Sequence, residues 1–506
     1  MGLEITLGSR KSLLARLQAY NVANTLLKAD PSLKISFLFR KSLGDIDLKS
    51  PLWQSQSKGV FTADFVDLLK EKKCDLVVHS WKDLPIEDRA DTQITATLKR
   101  ADPRDVILIK KTSKDKSSLV LASSSPRRQH NLLKNHQNFF PNHVKELNFK
   151  DIRGNIQTRL FKTYDNEQLD GVVVAKAALD RLADLKNLLD FEKRLNKEDT
   201  DHLALLNNFM PITLPLSTFP TAAAQGALAI ESLKSNTKLN SVLEKINDNT
   251  VFESVQKERK FLKNYGGGCH LKIGISHYSY NEQKFQFAQG LTPNGDVISI
   301  KSQLNSPVRE KVWKLNSKHV IRDLVQNEEI NPTGFNIAYI SKWIDSLIRS
   351  KINIFKDSLL WASGAQTWKK IVSNGHWCLG CDDSLGELTQ FPEKSFWKLF
   401  NLDTDKFLKF SHEQASSNLP NHPYYKLTFK KELIQQDLED SKGYEYYSWN
   451  SYSAFKLAIE LCPWLKGKSH ISGMGNTYNL IVKHFPDVKI EKHLATTEKS
   501  THEQNS

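Results

Sequence analysis

Short runs of consecutive apolar residues, each ending in a polar cluster, alternate with amphipathic stretches over the first 230 residues. Ile5-Thr6-Leu7 reads as a strand, and after Gly8-Ser9-Arg10-Lys11-Ser12 the residues Leu13, Leu17, Tyr20, Ala23 and Leu27 recur at helical spacing. Asp75-Leu76-Val77-Val78 breaks into His79-Ser80-Trp81-Lys82-Asp83, and Ser118 to Leu121 leads into Ser123-Ser124-Ser125-Pro126-Arg127-Arg128. Gly171 to Val174 precedes a helical stretch carrying Arg181. This is the rhythm of an α/β fold, in which polar clusters at strand ends are the usual ligand sites.

The pattern changes between about 230 and 350. A helical stretch runs into Gly266-Gly267-Gly268, and alternating strands follow at Phe285 to Gly290 and Val297 to Leu304, with a hairpin turn at Asn294-Gly295. Ile337 to Ile348 reads as a closing helix and Lys351 to Asp357 as a linker. A further unit rich in Trp and Tyr occupies the remainder, and Thr496 to Ser506 reads as a frayed polar tail.

Composition narrows the choices. The chain has 506 residues, which calls for three or four domains. No stretch approaches the roughly 18 apolar residues that span a bilayer, and no charged-then-apolar leader precedes Ile5, so a cytoplasmic protein without a membrane partner is expected. Met1-Gly2 with Thr6 fits a loose myristoylation pattern, but the segment also reads as the first buried strand. Five cysteines without regular spacing make no disulfide framework, and the single Cys378-Leu379-Gly380-Cys381 pair cannot complete a zinc site, so it is read as two ordinary thiols and no metal is expected. The net charge of +14 admits nucleic acid or a small polyanion. Arginines placed singly or in pairs at strand-to-helix junctions favour the small polyanion, and no nucleic-acid partner is expected.

Three corners are built for anions. Ser125 caps a helix with Pro126 at its first position, and Arg127 and Arg128 flank the free N–H groups there. Asn155, between Arg153 and Arg159, repeats the design, and Arg10 with Ser12 makes a third. Taken singly, each also reads as a solvated helix start. Lys82 and Asp83 end an apolar strand, where the carboxylate can steady a developing cation and the ammonium an anionic group. Cys269 sits on the glycine loop, where a neighbouring His or Lys can favour its nucleophilic thiolate; taken singly it also reads as a free loop cysteine with no role.

In order along the chain, GSRKSLLARLQA, KGVFTADF, DLVVHSWKDLP, RADPRD, SSSPRRQ, IRGNIQTRL, AALDRL, AAQGALAIE and ERKFLKNYGGGCHLKIG resemble the motifs of the porphobilinogen deaminases, over residues 1 to 275 and more loosely to about 350. The resemblance implies a transferase of tetrapyrrole biosynthesis that condenses four porphobilinogens into hydroxymethylbilane. It implies a dipyrromethane cofactor joined to Cys269 by a thioether, with Asp83 beside the reacting pyrroles and Lys82 assisting. Ser80, Ser125, Arg127, Arg128, Arg153 and Arg159 would contact the cofactor; Arg10, Ser12, Gln18, Phe61, Arg153 and Arg181 would contact the substrate and growing chain. Gln225 and Gly226 fall in the segment returning to the first domain. Pro126 and a long segment from Asp190 to Phe209 depart from the family pattern.

The implied fold is α/β, with two lobes resembling a periplasmic binding protein and a small α+β third domain. Domain 1 would hold residues 1–100 and about 205–229, domain 2 residues 101–204, and the cofactor-anchoring domain 3 residues 230–350. An additional C-terminal α/β domain, 355–495, faintly resembles uroporphyrinogen-III synthase at Tyr446 to Phe455 and at Ile471 to Thr477. Three readings stay open: a bifunctional fusion with that synthase, a deaminase with a degenerate C-terminal domain, and a non-catalytic clamshell for an anionic metabolite. A monomer is expected.

Overall fold

The computed structural model describes residues 3–41, 63–185, 188, 190–192, 195–268, 270–304, 306, 309, 311–325, 334–341 and 358–493. The described residues form a mixed α/β protein with five sheets among them. The first sheet (lobe 1) runs Lys34–Arg40, Glu4–Arg10, Leu76–Ser80, Leu228–Leu233, Thr92–Ala96. The second (lobe 2) repeats that plan with Glu146–Lys150, Ser118–Ala122, Gly171–Ala175, Asp105–Lys110, Phe209–Thr213. In each, the fourth strand is antiparallel to the third.

Local sequence explains the elements that face the gap between the lobes. The helix Leu13–Ala29 has no interior glycine or proline and buries Leu13, Leu17, Tyr20, Val22 and Leu26 against the first sheet and its surroundings. Side chains of this size each contribute about 1.5–3 kcal/mol when fully buried. The helices Pro126–Lys134 and Ile156–Asp165 start where Ser125 Oγ accepts from Arg128 N–H (3.4 Å) and Asn155 Oδ1 from Thr158 N–H (2.9 Å). Both expected N-caps therefore form.

Beyond the lobes, the helix Asn249–Lys263 packs on a three-stranded antiparallel sheet, Gly274–Tyr280, Gln283–Leu291 and Val297–Leu304. The expected hairpin is present, with Gly295 at its turn. Strand pairing moves three expected boundaries. Phe209–Thr213 belongs to lobe 2, so the chain rejoins lobe 1 at Leu228–Leu233 rather than at about 205. The helix Thr237–Glu244 still serves the lobe 1 core through Leu239 and Leu243, so the third unit begins near 249 rather than 230. Ile337–Ile340 is a strand and not the start of a helix, because four consecutive apolar residues are buried on both faces between the parallel strands Leu359–Ala362 and Phe407–His412.

The last unit accordingly begins before 350. Val312–Lys314 joins Tyr446–Trp449, Ser469–Ser472 and Ile490–Lys492 in a parallel sheet. Val320–Leu324 pairs antiparallel with Asn421–Phe429 at the edge of a six-stranded sheet that ends in Gly380–Cys381. That last strand lies beside lobe 2, where Thr213 N–H donates to Leu379 C=O at 2.8 Å. The alternating side chains of both sheets then build two shared cores. Ile107, Ile109, Ala338, Ile340 and Trp368 lie on one face; Val106, Leu108, Ile337, Tyr339 and Trp361 lie on the other. The linker 351–357 and the tail 496–506 lie outside the described residues.

Candidate active site

A cleft of about 850 Å³ opens between the lobes. Lobe 1 lines it with Arg10, Ser12, Gln18, Ser80, Lys82 and Asp83, and lobe 2 with Arg128, Arg153 and Arg159. Nine of the residues singled out from sequence thus converge on one cavity. Phe61 and Cys269 lie outside the described residues. Arg127, Ser125 and Arg181 do not line the cleft. Ser125 caps its helix, and Arg181 Nη2 donates to Gly226 C=O at 2.8 Å.

Lys82 and Asp83 sit in a short 3₁₀ turn, Trp81–Asp83, at the end of Leu76–Ser80. Asp83 is exposed to the cleft, whereas Trp81 beneath it is fully buried. Gln18 Nε2 donates to Ser80 Oγ at 2.9 Å, tying the first helix to this strand end. Lys82 Nζ donates to Gln225 Oε1 at 3.3 Å. Burial pushes the Lys82 ammonium down to about 8; Arg128 and Arg127 push the same way, and Asp83 and Asp105 oppose them.

Lobe 2 presents its guanidinium groups from a buried brace. Asp105 accepts from Arg128 Nη2 (2.6 Å) and Nε (3.1 Å), from Arg127 Nη2 (2.8 Å) and from Gln225 Nε2 (2.9 Å). Burial penalises the charged Asp105, but the two arginines outweigh it and hold the carboxyl well below its usual range. Arg127 is spent in this brace, with its guanidinium over the Phe219 ring at 5.6 Å and donating to Pro220 C=O. That accounts for its absence from the cleft wall. Arg159 is pushed down to about 10, first by burial and then by Arg128, Arg153 and Arg10; Asp83 is the carboxylate that offsets them. Arg10, Arg128, Arg153 and Arg159 gathered on one cavity fit a group bearing several carboxylates, such as a dipyrromethane.

The third unit delivers the glycine loop to the same place. At Gly267 (φ +63°) a Cβ would come within 2.7 Å of Ile86 Cδ1, so the loop seats on the chain three residues beyond Asp83. Arg259, on the helix leading into that loop, donates to Leu84 C=O at 3.3 Å and to Pro85 C=O. Arg259, Asp105 and Glu231 were missed from sequence. Glu231 accepts from Arg89 and Thr92 and pairs with His79 at 3.0 Å, fixing the strand that ends in Asp83. Gly226 (φ +89°) lies so close to Ala101 that a Cβ would meet its carbonyl at 2.4 Å. Cys378 and Cys381 are buried, and burial raises both thiols, Cys378 to about 12, as expected of ordinary core cysteines.

A family model described as porphobilinogen deaminase, dipyrromethane cofactor-binding domain, matches residues 5–241. The porphobilinogen deaminase of Caldicellulosiruptor saccharolyticus is 35% identical over 302 residues, which is 58% of this chain and 91% of that protein. The probable porphobilinogen deaminase of Picrophilus torridus is 34% identical over 308 residues, 60% of this chain and 95% of that one. The porphobilinogen deaminase of Candida albicans is 32% identical over 307 residues, 58% of this chain and 79% of that one. With the arginine-lined cleft, these matches establish that the chain belongs to the porphobilinogen deaminase family.

Proposed function

We propose that this chain condenses four porphobilinogens, with loss of four ammonia molecules and uptake of one water that releases the product, into hydroxymethylbilane, extending a dipyrromethane held on Cys269. The observation that carries the reading is the cleft itself, where Asp83 stands among Arg10, Arg128, Arg153 and Arg159. Each pyrrole unit carries two carboxylates, and the guanidiniums of both walls bind them. As the substrate's C–N bond breaks and ammonia departs, positive charge spreads over the pyrrole, and the Asp83 carboxylate stabilises it. Arg10, Arg128, Arg153 and Arg159 would hold the dipyrromethane, whose terminal pyrrole would supply the carbon for the new C–C bond and give up its α-proton. Lys82 holds a carboxylate beside the reacting centre. The bound dipyrromethane supplies the acceptor, and a fixed acceptor makes each addition effectively intramolecular.

The test is the intact mass of the purified protein together with its product. A covalent increment that Cys269→Ser abolishes, and bilane formed from porphobilinogen, are expected. A bare-chain mass with no bilane would leave only an anion-binding clamshell.

For the C-terminal unit we propose a fused uroporphyrinogen-III synthase, supported by two sheets, one parallel and one parallel except at its Val320–Leu324 edge, whose strands Leu359–Ala362 and Ser469–Ser472 lead into Ser363-Gly364 and into Gly473 to Thr477. One observation favours the degenerate alternative. A Cβ added at Gly475 would meet Gly386 Cα at 3.5 Å, so this junction is tight, and the next residue, Glu387, carries a carboxylate held by Lys409 at 3.1 Å and by Ser417. Product analysis without added synthase separates the two: isomer III for a working synthase, isomer I for a degenerate domain.

A further inference from the structure

One acidic group in the cleft wall is gripped from both lobes. Asp199 lies on the helix Lys197–Ala204, within the long segment between Lys176–Ala183 and Phe209–Thr213. It accepts from Arg16 Nη2 of lobe 1 at 3.0 Å and from Gln157 Nε2 of lobe 2 at 2.5 Å. Arg16 Nη1 also donates to Glu192 of the same segment at 2.5 and 2.6 Å. Asp199 is 9% exposed, so these bonds form largely out of water. Behind them the segment's Leu188 and Phe191 are packed among Leu13, Tyr20 and Phe37 of lobe 1 and Leu182 and Ile156 of lobe 2. Phe191 stacks on Tyr20 with ring centroids 5.0 Å apart. Arg16, Gln157, Glu192 and Asp199 all line the same cleft as the arginine set.

The described residues 188, 190–192 and 195–208 of this segment therefore act as a strap that joins the two lobes at the cleft. We propose that Arg16, Asp199 and Gln157 are positioning residues that fix the separation of the lobes. They thereby set the distance between the groups of lobe 1 (Arg10, Asp83) and those of lobe 2 (Arg153, Arg159) that must grip one ligand together. A polyanion held from two walls binds best when the walls need not reorganise, so the pin acts on affinity rather than on the chemical step. This inference rests on the cleft being the polyanion site proposed above.

The experiment compares the primer-bearing enzyme with Asp199→Asn and with Gln157→Leu, which cuts only the link to lobe 2. Both variants should raise KM for porphobilinogen roughly five- to ten-fold, with turnover per primer-bearing molecule little changed. The double variant should be no worse than Asp199→Asn alone, since both changes cut one connection. Arg16→Lys, which keeps the charge, should recover most of the affinity lost in Arg16→Gln. Unchanged KM, with melting temperature and primer-bearing fraction falling together, would reduce the strap to ordinary packing and overturn the proposal. Additive effects in the double variant would also overturn it. Should Asp199→Asn fail to fold, Gln157→Leu decides alone. A wild-type protein with neither covalent increment nor bilane would remove the function and the pin with it; a loaded wild type with unmoved variants removes only the pin.

Discussion

Lobe 1 and lobe 2 share one strand order, and in each the antiparallel fourth strand carries a buried carboxylate, Glu231 in the first and Asp105 in the second. Glu231 ties His79, Arg89 and Thr92 together and steadies the strand that ends in Asp83. Asp105 instead gathers Arg127 and Arg128, so that a guanidinium reaches the cleft already braced. Lobe 1 offers Asp83 among basic side chains of its own, and lobe 2 offers the three guanidiniums of Arg128, Arg153 and Arg159. The lobes also differ at their edges. Lobe 1 builds its main core from its own strands and helices and, around Tyr20, packs with the strap and with Leu182 and Ile156 of lobe 2, whereas lobe 2 shares both faces with the six-stranded C-terminal sheet. The shared backbone plan sets neither the chemistry nor the source of stability. Strand-end side chains decide the one and the neighbour at the sheet edge decides the other.

The largest expected effect tests that second difference. Trp368 of the C-terminal sheet region packs edge-on against Phe139 of lobe 2 at 5.6 Å and is 1% exposed. Trp368→Ala should cost about 3–5 kcal/mol of stability. Amide hydrogen exchange should show protection lost in Asp105–Lys110 and Ser118–Ala122 while Glu4–Arg10 and Leu76–Ser80 keep theirs. Equal loss in both lobes would erase the contrast.

Next in size is the chemical asymmetry. Asp83→Asn should lower turnover by about 10²- to 10³-fold, or about 2.7–4 kcal/mol, with little change in KM, because its charge matters chiefly as the cation develops. Steady-state rates of bilane formation measure it, and a loss confined to KM would mean that Asp83 only binds.

The smallest effect concerns Lys82. Its proton is lost near pH 8 in the folded protein, below the ordinary 10.5, so the ammonium and its hold on an anionic group fade as pH rises through about 8. The value of kcat/KM should fall above that pH, and Lys82→Arg should move the limb upward. For stability the sign is opposite. Between about 8 and 10.5 the unfolded chain holds the extra proton, so this group's share of the unfolding free energy grows with pH. A pH-rate profile without an alkaline limb in the wild type would show that Lys82 keeps its charge.

Much of the cleft could be read from the chain because its parts are local. Ser125 and Asn155 cap helices within three residues of themselves, and Asp83 follows its strand directly. What stayed hidden depends on partners distant in sequence. Arg127 looks like a cleft residue until Asp105 is seen beneath it, and Arg259 acquires a role only because its helix meets Leu84 and Pro85. The C-terminal boundary was misplaced for a different reason. Val312–Lys314 is three residues long, and Ile337–Ile340 is apolar on both faces, so neither shows the alternation that marks a half-buried strand.

The shared cores also bear on how the chain is made. The sheet of lobe 1 is complete once residue 233 has been synthesised, and its helix Thr237–Glu244 follows at once. Lobe 2 finishes its sheet earlier, at Thr213, yet its cores draw on residues as late as Tyr424 and Tyr425. On the ribosome, the half of the cleft that is threaded first into its sheet is therefore the last to be fully buried, and it waits for some 200 further residues to emerge.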